Sequence, residues 1–244
     1  MRKITDAPEE PSGAFFLPKS GEEDTIIYKE TDMKYEAVLF DMDGTLLDTL
    51  EDLRSGVNVA LGRHGYPTHT LQEVRTYVGN GAGVLIRKAL PEGTPEEEFC
   101  QILREYKEWY KINYCTKTRP YPGVADLLSA LRAGGVKTAV VSNKPHPVTK
   151  ELAEKFFPGL PAFGQRDGVP RKPEPEMVFQ ALEALGADRS RSVYVGDSEV
   201  DVATARNAGL PVITVSWGFR TVEQLRAAGA DTIAASAEEL AALL

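Results

Sequence analysis

Hydrophobic and polar positions divide the 244-residue chain into three stretches with different periods. The first, to about residue 34, holds only two apolar islands, Phe15-Phe16-Leu17 and Ile26-Ile27-Tyr28, among Pro, Gly, Glu and Asp. So little apolar surface does not offset the entropy of ordering, so residues 1–34 are expected to form a weakly ordered arm, or one packed through the Phe15-Phe16 pair. Next comes Ala37-Val38-Leu39-Phe40, a short unbroken apolar run that reads as a buried strand of a parallel sheet. From Leu50 the period becomes helical, with Leu50, Leu53, Val57 and Leu61 three or four apart. Further helical signals run through Leu71, Val74 and Val78, then through Val84, Leu85, Lys88 and Leu90. A fourth opens at Thr94-Pro95-Glu96, where Thr94 can cap and Pro95 suits the first turn, and passes Phe99, Leu103, Tyr106 and Tyr110. No strand signal interrupts these segments, so residues 50–118 are expected to be a small all-helical insertion.

Arg119-Pro120-Tyr121-Pro122-Gly123 is a stiff, turn-rich joint suited to a hinge. Beyond it helices and strands alternate. Strands are expected at residues 136–141, 162–164, 192–195 and 212–215 and near Thr232-Ile233, with helices at 124–131, 147–157, 177–185, 202–208 and 222–227 and from Ala237 onward. Such alternation predicts an α/β fold: a doubly wound, Rossmann-like parallel sheet built from residues 35–49 plus 119–244, with the all-helical segment inserted as a cap domain.

Composition narrows the function. A net charge of −8 without any basic block argues against nucleic acid as a partner. No apolar stretch approaches the length of a membrane span and no signal peptide is visible, so no membrane partner is expected. Cys100 and Cys115 lack metal-ligand spacing and fit a reducing compartment, which makes the cytoplasm the expected address. An acidic protein that handles an anionic substrate has to meet it with local positive charge or a metal ion.

Candidate chemistry gathers at strand ends. Asp41-Met42-Asp43-Gly44-Thr45 follows the first strand, and by itself reads first as an acidic turn. Ser142 and Asn143 close the strand after the hinge, Asp197 and Asp201 close a later one, and Lys172 arrives on a loop stiffened by Pro173 and Pro175. Ligands of open α/β sheets bind at the carboxyl ends of the strands. Several carboxylates there raise one another's pKa unless a cation joins them. Oxygen ligands with open positions favour Mg²⁺, which takes one or two carboxylates plus substrate phosphate. The set suits a phosphoryl group. The glycine cluster Gly79 to Gly83 lacks the strand and acidic partner of a dinucleotide fingerprint, and reads as a cap loop near a ligand or as a plain helix–helix turn.

Asp41-x-Asp43-Gly44-Thr45, Ser142, Lys172-Pro173 and Gly196-Asp197-Ser198-x-x-Asp201 resemble, in order, the four motifs of the haloacid dehalogenase-like hydrolase superfamily. The helical insertion is similar to the α-helical type 1 cap of that superfamily. Val78-Gly79-Asn80-Gly81-Ala82, Arg119-Pro120-Tyr121-Pro122-Gly123-Val124 and Ser142-Asn143-Lys144 resemble its phosphoglycolate phosphatases. The resemblance implies hydrolysis of a small phosphorylated metabolite, 2-phosphoglycolate first, by a monomer or homodimer. Asp41 would be the nucleophile that forms an aspartyl-phosphate, and Asp43 the acid and then the base. Mg²⁺ would sit on Asp41, the Asp43 carbonyl and Asp197. Thr45, Ser142 and Asn143 would contact the phosphoryl group, Lys172 would offset its charge, and Asp201 would orient Lys172 or a water. In the cap, Asn80 and Gly81 would lie nearest the substrate, and Arg87 could reach a substrate carboxylate. Asp43 speaks against a dehalogenase, and a phosphonatase would need a cap lysine for which Lys88 is the candidate. A β-phosphoglucomutase-like phosphosugar mutase and a pyrophosphatase remain alternatives. A receiver-like or phosphate-binding module is the alternative of another class.

Overall fold

The computed structural model describes residues 34–244, together with two earlier strands, β1 (Ala14–Pro18) and β2 (Thr25–Lys29), which pair antiparallel. These strands coincide with the two apolar islands that were expected to lie in a weakly ordered arm. Packing of the Phe15-Phe16 pair falls outside the described residues.

Six parallel strands form the main sheet in the order β10-β9-β8-β3-β6-β7. They are β3 (Ala37–Phe40), β6 (Lys137–Pro145), β7 (Ala162–Gln165), β8 (Ser192–Gly196), β9 (Val212–Val215) and β10 (Ile233–Ala234). The helices of this half are α5 (Val124–Ala133), α6 (His146–Phe156), α7 (Glu176–Leu185), α8 (Glu199–Ala208), α9 (Val222–Ala227) and α10 (Ala237–Leu243). β3 lies at the centre, and all four of its residues are fully buried. Its two faces supply different cores. Leu39 packs with Ala139, Val141, Tyr194, Met177 and Ala205 beneath α7 and α8. Val38 and Phe40 join Val140, Val193 and Val195 on the opposite face. That split explains the unbroken apolar run, since a strand covered on both faces has no solvent side.

Two of the boundaries that differ from expectation bear on the candidate residues. β6 runs to Pro145, four residues past the apolar run, so Ser142, Asn143 and Lys144 lie on the strand rather than after it. α8 begins at Glu199 rather than Val202, because Asp201 completes a capping box with Ser198 and so belongs to the first helical turn.

Four helices lie between the first two strands of the sheet: α1 (Leu50–Arg63), α2 (Leu71–Tyr77), α3 (Gly81–Ala89) and α4 (Glu96–Asn113). Where the chain leaves the sheet and returns, β4 (Leu47–Asp48) pairs antiparallel with β5 (Arg119–Pro120), and Arg119 lies 3.3 Å from Asp48. Just beyond, the buried carboxylate of Asp52 accepts the Lys117 N–H at 2.9 and 3.0 Å, the Thr118 N–H at 2.9 Å and the Thr118 hydroxyl at 2.8 Å. The two crossings are thus fastened together into one strap between the sheet and the helical unit. Among the described residues no helix is long and apolar enough to cross a membrane.

Candidate active site

β3 sits where the sheet order switches direction, between β6 and β8, and the crevice at such a switch point is the usual ligand site of an open α/β sheet. Here it opens into a cavity of about 340 Å³ roofed by the helical unit. Asp41, Asp43, Ser142, Asn143, Lys172 and Asp197 all line it. The chain turns sharply after Asp43 through Gly44, whose φ of +91° lies in the left-handed region. A Cβ at Gly44 would fall 2.3 Å from an Asp197 oxygen, so only glycine lets the Asp41–Asp43 turn close over Asp197.

Lys172 is the electrostatic centre. Its side chain is 2% exposed, and Nζ lies 2.8 Å from Asp41 Oδ1, 2.8 Å from Asp201 Oδ1 and 3.0 Å from the Tyr194 hydroxyl. Burial opposes the charge, but Asp201 and Asp41 outweigh it and hold the ammonium well above its ordinary range. The other Asp201 oxygen accepts the N–H groups of Asp197 and Ser198 and the Ser198 hydroxyl. Asp201 is therefore fully engaged in orienting Lys172 and the turn that carries Asp197.

Negative charge still exceeds positive. Oxygens of Asp41, Asp197 and Asp201 lie within 4.8 Å of one another, around one ammonium. Burial, opposed by Lys172 and reinforced by Asp201, pushes Asp41 up to about 7. Burial, then the charges of Asp201 and Asp41, pushes Asp197 well above the carboxylate range. Asp197 accepts the Phe219 N–H at 2.7 Å and the Thr45 hydroxyl at 3.4 Å, and has no lysine or arginine partner among the described residues. A buried carboxylate without a cation, beside the partly free Asp41, is the donor set that a hard divalent ion neutralises. The residues present fit Mg²⁺.

Asp43, 16% exposed at its side chain, faces the cavity, and both its oxygens lie within 3.0 Å of Lys144 Nζ. Ser142 is buried and accepts the Lys144 N–H at 3.2 Å. Asn143 accepts the Lys172 N–H at 2.8 Å, and its amide donates to the Lys172 carbonyl at 3.0 Å and the Gly79 carbonyl at 3.3 Å. One side chain thereby ties the Lys172 loop to the roof.

A family model described as haloacid dehalogenase-like hydrolase matches residues 38–215. The chain belongs to that family. A phosphoglycolate phosphatase of Caulobacter vibrioides is 34% identical over 208 residues, covering 83% of this chain and 87% of the relative. An N-acetylmuramic acid 6-phosphate phosphatase of Pseudomonas aeruginosa is 33% identical over 217 residues, covering 85% of this chain and 94% of the relative. A solved structure from Lactobacillus delbrueckii subsp. bulgaricus is 38% identical with a TM-score of 0.83, and the match covers 86% of this chain and 98% of that one. The haloacid dehalogenase-like protein is accordingly a phosphatase.

Not every candidate residue of this phosphatase reaches the cavity. Thr45 is buried beneath it, with its hydroxyl on Asp197, and does not line it. In the cap loop Gly79 and Gly81 line it, whereas Asn80 between them does not and offers its carbonyl to Arg171 at 3.4 Å. Arg87 turns away to pair with Glu96 at 2.5 Å over the Phe99 ring, and Lys88 is exposed outside the cavity. The structure adds groups that sequence reasoning passed over. Lys144 stands two residues from Ser142, so the period of a strand places both on one face, a signal that was available. Tyr110, Tyr194 and Arg220 gave no local signal. Arg220 is buried, pairs with Glu199 at 2.7 Å and donates to the carbonyls of Arg75 at 3.2 Å and Val78 at 2.8 Å. It fastens the C-terminal end of α2 to the sheet half.

Proposed function

We propose that this phosphatase hydrolyses a small phosphomonoester, 2-phosphoglycolate first, through an aspartyl-phosphate on Asp41 with Mg²⁺ in the carboxylate cluster. The observation that carries this reading is that Asp41 and Asp43, two residues apart, open into one cavity with Ser142 and Lys172. A carboxylate oxygen of Asp41 attacks phosphorus as the ester P–O bond breaks, and Asp43 gives its proton to the departing alkoxide. Asp43 then takes a proton from water as that water attacks phosphorus and breaks the Asp41–P bond, releasing phosphate. Ser142 and Lys172 meet the charge that builds on the phosphoryl oxygens. Asp41, the Asp43 carbonyl and Asp197 would hold Mg²⁺, which supplies charge neutralisation between the carboxylates and the phosphate.

A volume of about 340 Å³ is near the lower end of the range for ligand pockets, roughly 300–1,000 Å³, and favours a small substrate. On the cap side Lys107 and Lys111, one helical turn apart and exposed, line the rim without acidic partners among the described residues. Adjacent ammonium groups repel one another, and a substrate with a second anionic group such as a carboxylate relieves that repulsion. A panel of 2-phosphoglycolate, N-acetylmuramic acid 6-phosphate, β-glucose 1-phosphate, pyrophosphate and nucleotides, assayed with and without Mg²⁺, tests the reading. The highest kcat/KM is expected on 2-phosphoglycolate and only with Mg²⁺. Higher turnover of the sugar 6-phosphate would reassign the substrate, and conversion of β-glucose 1-phosphate to the 6-phosphate would make the protein a mutase.

Metal binding has its own readout. Asp41 holds a proton in the folded protein between its ordinary 3.8 and about 7, whereas the unfolded chain does not. Stability from this group is therefore present at low pH and lost as pH rises through that window. Mg²⁺ requires the carboxylates deprotonated and offsets the loss. Saturating Mg²⁺ is expected to raise Tm by roughly 5–10 °C at pH 8 and by much less at pH 5. An equal shift at both pH values, or none, would count against the site.

A further inference from the structure

The cavity contains a second buried lysine, Lys144, beside Lys172. Its side chain is 2% exposed, and Nζ sits 2.8 and 3.0 Å from the two Asp43 oxygens and 2.8 Å from the Tyr110 hydroxyl. An ammonium group has three N–H donors, and these three contacts use all of them. Its partners in this structure are thus Asp43 and Tyr110. Lys172 is equally engaged, but its partners Asp41, Asp201 and Tyr194 all belong to the sheet half. Lys144 differs in bridging two units. It stands on β6, while Tyr110 stands in the last turns of α4 on the roof.

We propose that Lys144 and Tyr110 are positioning residues for Asp43: the tyrosine places the ammonium, and the ammonium fixes the rotation of the carboxylate. Asp43 is then aimed at the leaving oxygen when α4 is seated over the cavity. An aspartate has two free side-chain torsions, and contact with both oxygens removes the second. The Tyr110 ring is itself set by stacking on Tyr106, with centroids 5.4 Å apart and planes 14° from parallel. The hydroxyl is consequently presented from a fixed ring rather than from a mobile side chain. Misplacing a reacting group by about 1 Å can cost on the order of 100-fold in rate, so a weakened restraint has a measurable effect. This inference rests on the reading of Asp43 as the acid of the first step.

The discriminating measurement is kcat/KM, which reports the first irreversible step, on an alkyl phosphomonoester and on 4-nitrophenyl phosphate. An alkoxide needs a proton to leave; nitrophenolate does not. Asp43→Asn sets the scale for loss of the acid. Tyr110→Phe keeps the ring stack and removes only the hydroxyl, and the alkyl-to-aryl ratio of kcat/KM is expected to fall about tenfold. Lys144→Met is expected to lower the same ratio further. If Asp43→Asn lowers the ratio but Tyr110→Phe and Lys144→Met reduce both substrates equally, or neither, the positioning role is overturned and the acid role stands. If Asp43→Asn itself leaves the ratio unchanged, the acid role falls and the positioning role falls with it. Thermal melts of the three variants separate misfolding from these outcomes.

Discussion

Asp41→Asn is expected to lower kcat by more than about 10⁴-fold while the protein remains folded. If Asp41 is the nucleophile proposed above, its removal costs catalysis almost in full, because the remaining groups act on a step that no longer occurs. The substitution is nearly isosteric. It also removes one of the carboxylates crowded around Lys172, so stability is expected to hold or to rise. Burial had already pushed Asp41 up to about 7, and an uncharged amide relieves that cost of ionisation. The measurement is a single-turnover assay with acid quench and detection of phosphorylated protein. Wild type should accumulate label on Asp41 and the variant none. Turnover in the variant within 100-fold of wild type would sink the nucleophilic mechanism, because water attacking the substrate directly would not need Asp41.

Lys172→Met is expected to damage both stability and activity. The ammonium is the sole lysine or arginine partner, among the described residues, of the buried Asp41 and Asp201 carboxylates. Removing one partner of a buried ion pair typically costs about 3–5 kcal/mol, because the other charge is left uncompensated in a low-dielectric interior. For a chain of this length that corresponds to a Tm lowered by roughly 10 °C. The sign of the pH effect follows. Without the ammonium, the buried carboxylates take up protons more readily than in the unfolded chain, so the variant should lose more stability at pH 8 than at pH 5. Adding Asp201→Asn should restore part of the loss by removing one of the repelling charges. A melting curve indistinguishable from wild type at both pH values would mean that Lys172 does not hold the cluster together.

The fastening of the helical unit gives these side chains their setting. Asn143 bonds the Gly79 carbonyl, Arg220 bonds the Arg75 and Val78 carbonyls, and Lys144 bonds Tyr110. Each link runs from a group beside the reacting atoms to a cap element. In this structure the placement of these side chains is therefore coupled to the seating of the cap.

Much of this was legible before any coordinates. Local chemistry pointed to the α/β class, because short apolar runs such as Ala37 to Phe40 alternate with segments of 3.6-residue spacing, and a strand covered on both faces gives the first pattern while a helix gives the second. It also placed Asp41, Asp43, Ser142, Lys172 and Asp197 at strand ends or in a stiff loop, and the strand order then brought them to one cavity. Limits appeared where a role depends on what stands across a gap. Thr45 belongs to the leading motif, yet it lies under the cavity because Gly44 turns the chain inward against Asp197. Arg87 looked free to meet a substrate, but Glu96 and Phe99, nine and twelve residues on, claim its guanidinium. Lys144 met Asp43 and Tyr110 only when strand, turn and cap helix converged from positions 101 and 34 residues away. A strand's period reveals which face a residue takes, and a motif reveals which chemistry it carries. Which ammonium sits on which carboxylate is decided by packing between elements distant in sequence, because Coulomb and hydrogen-bond contacts act over a few ångströms of space, whatever the separation along the chain.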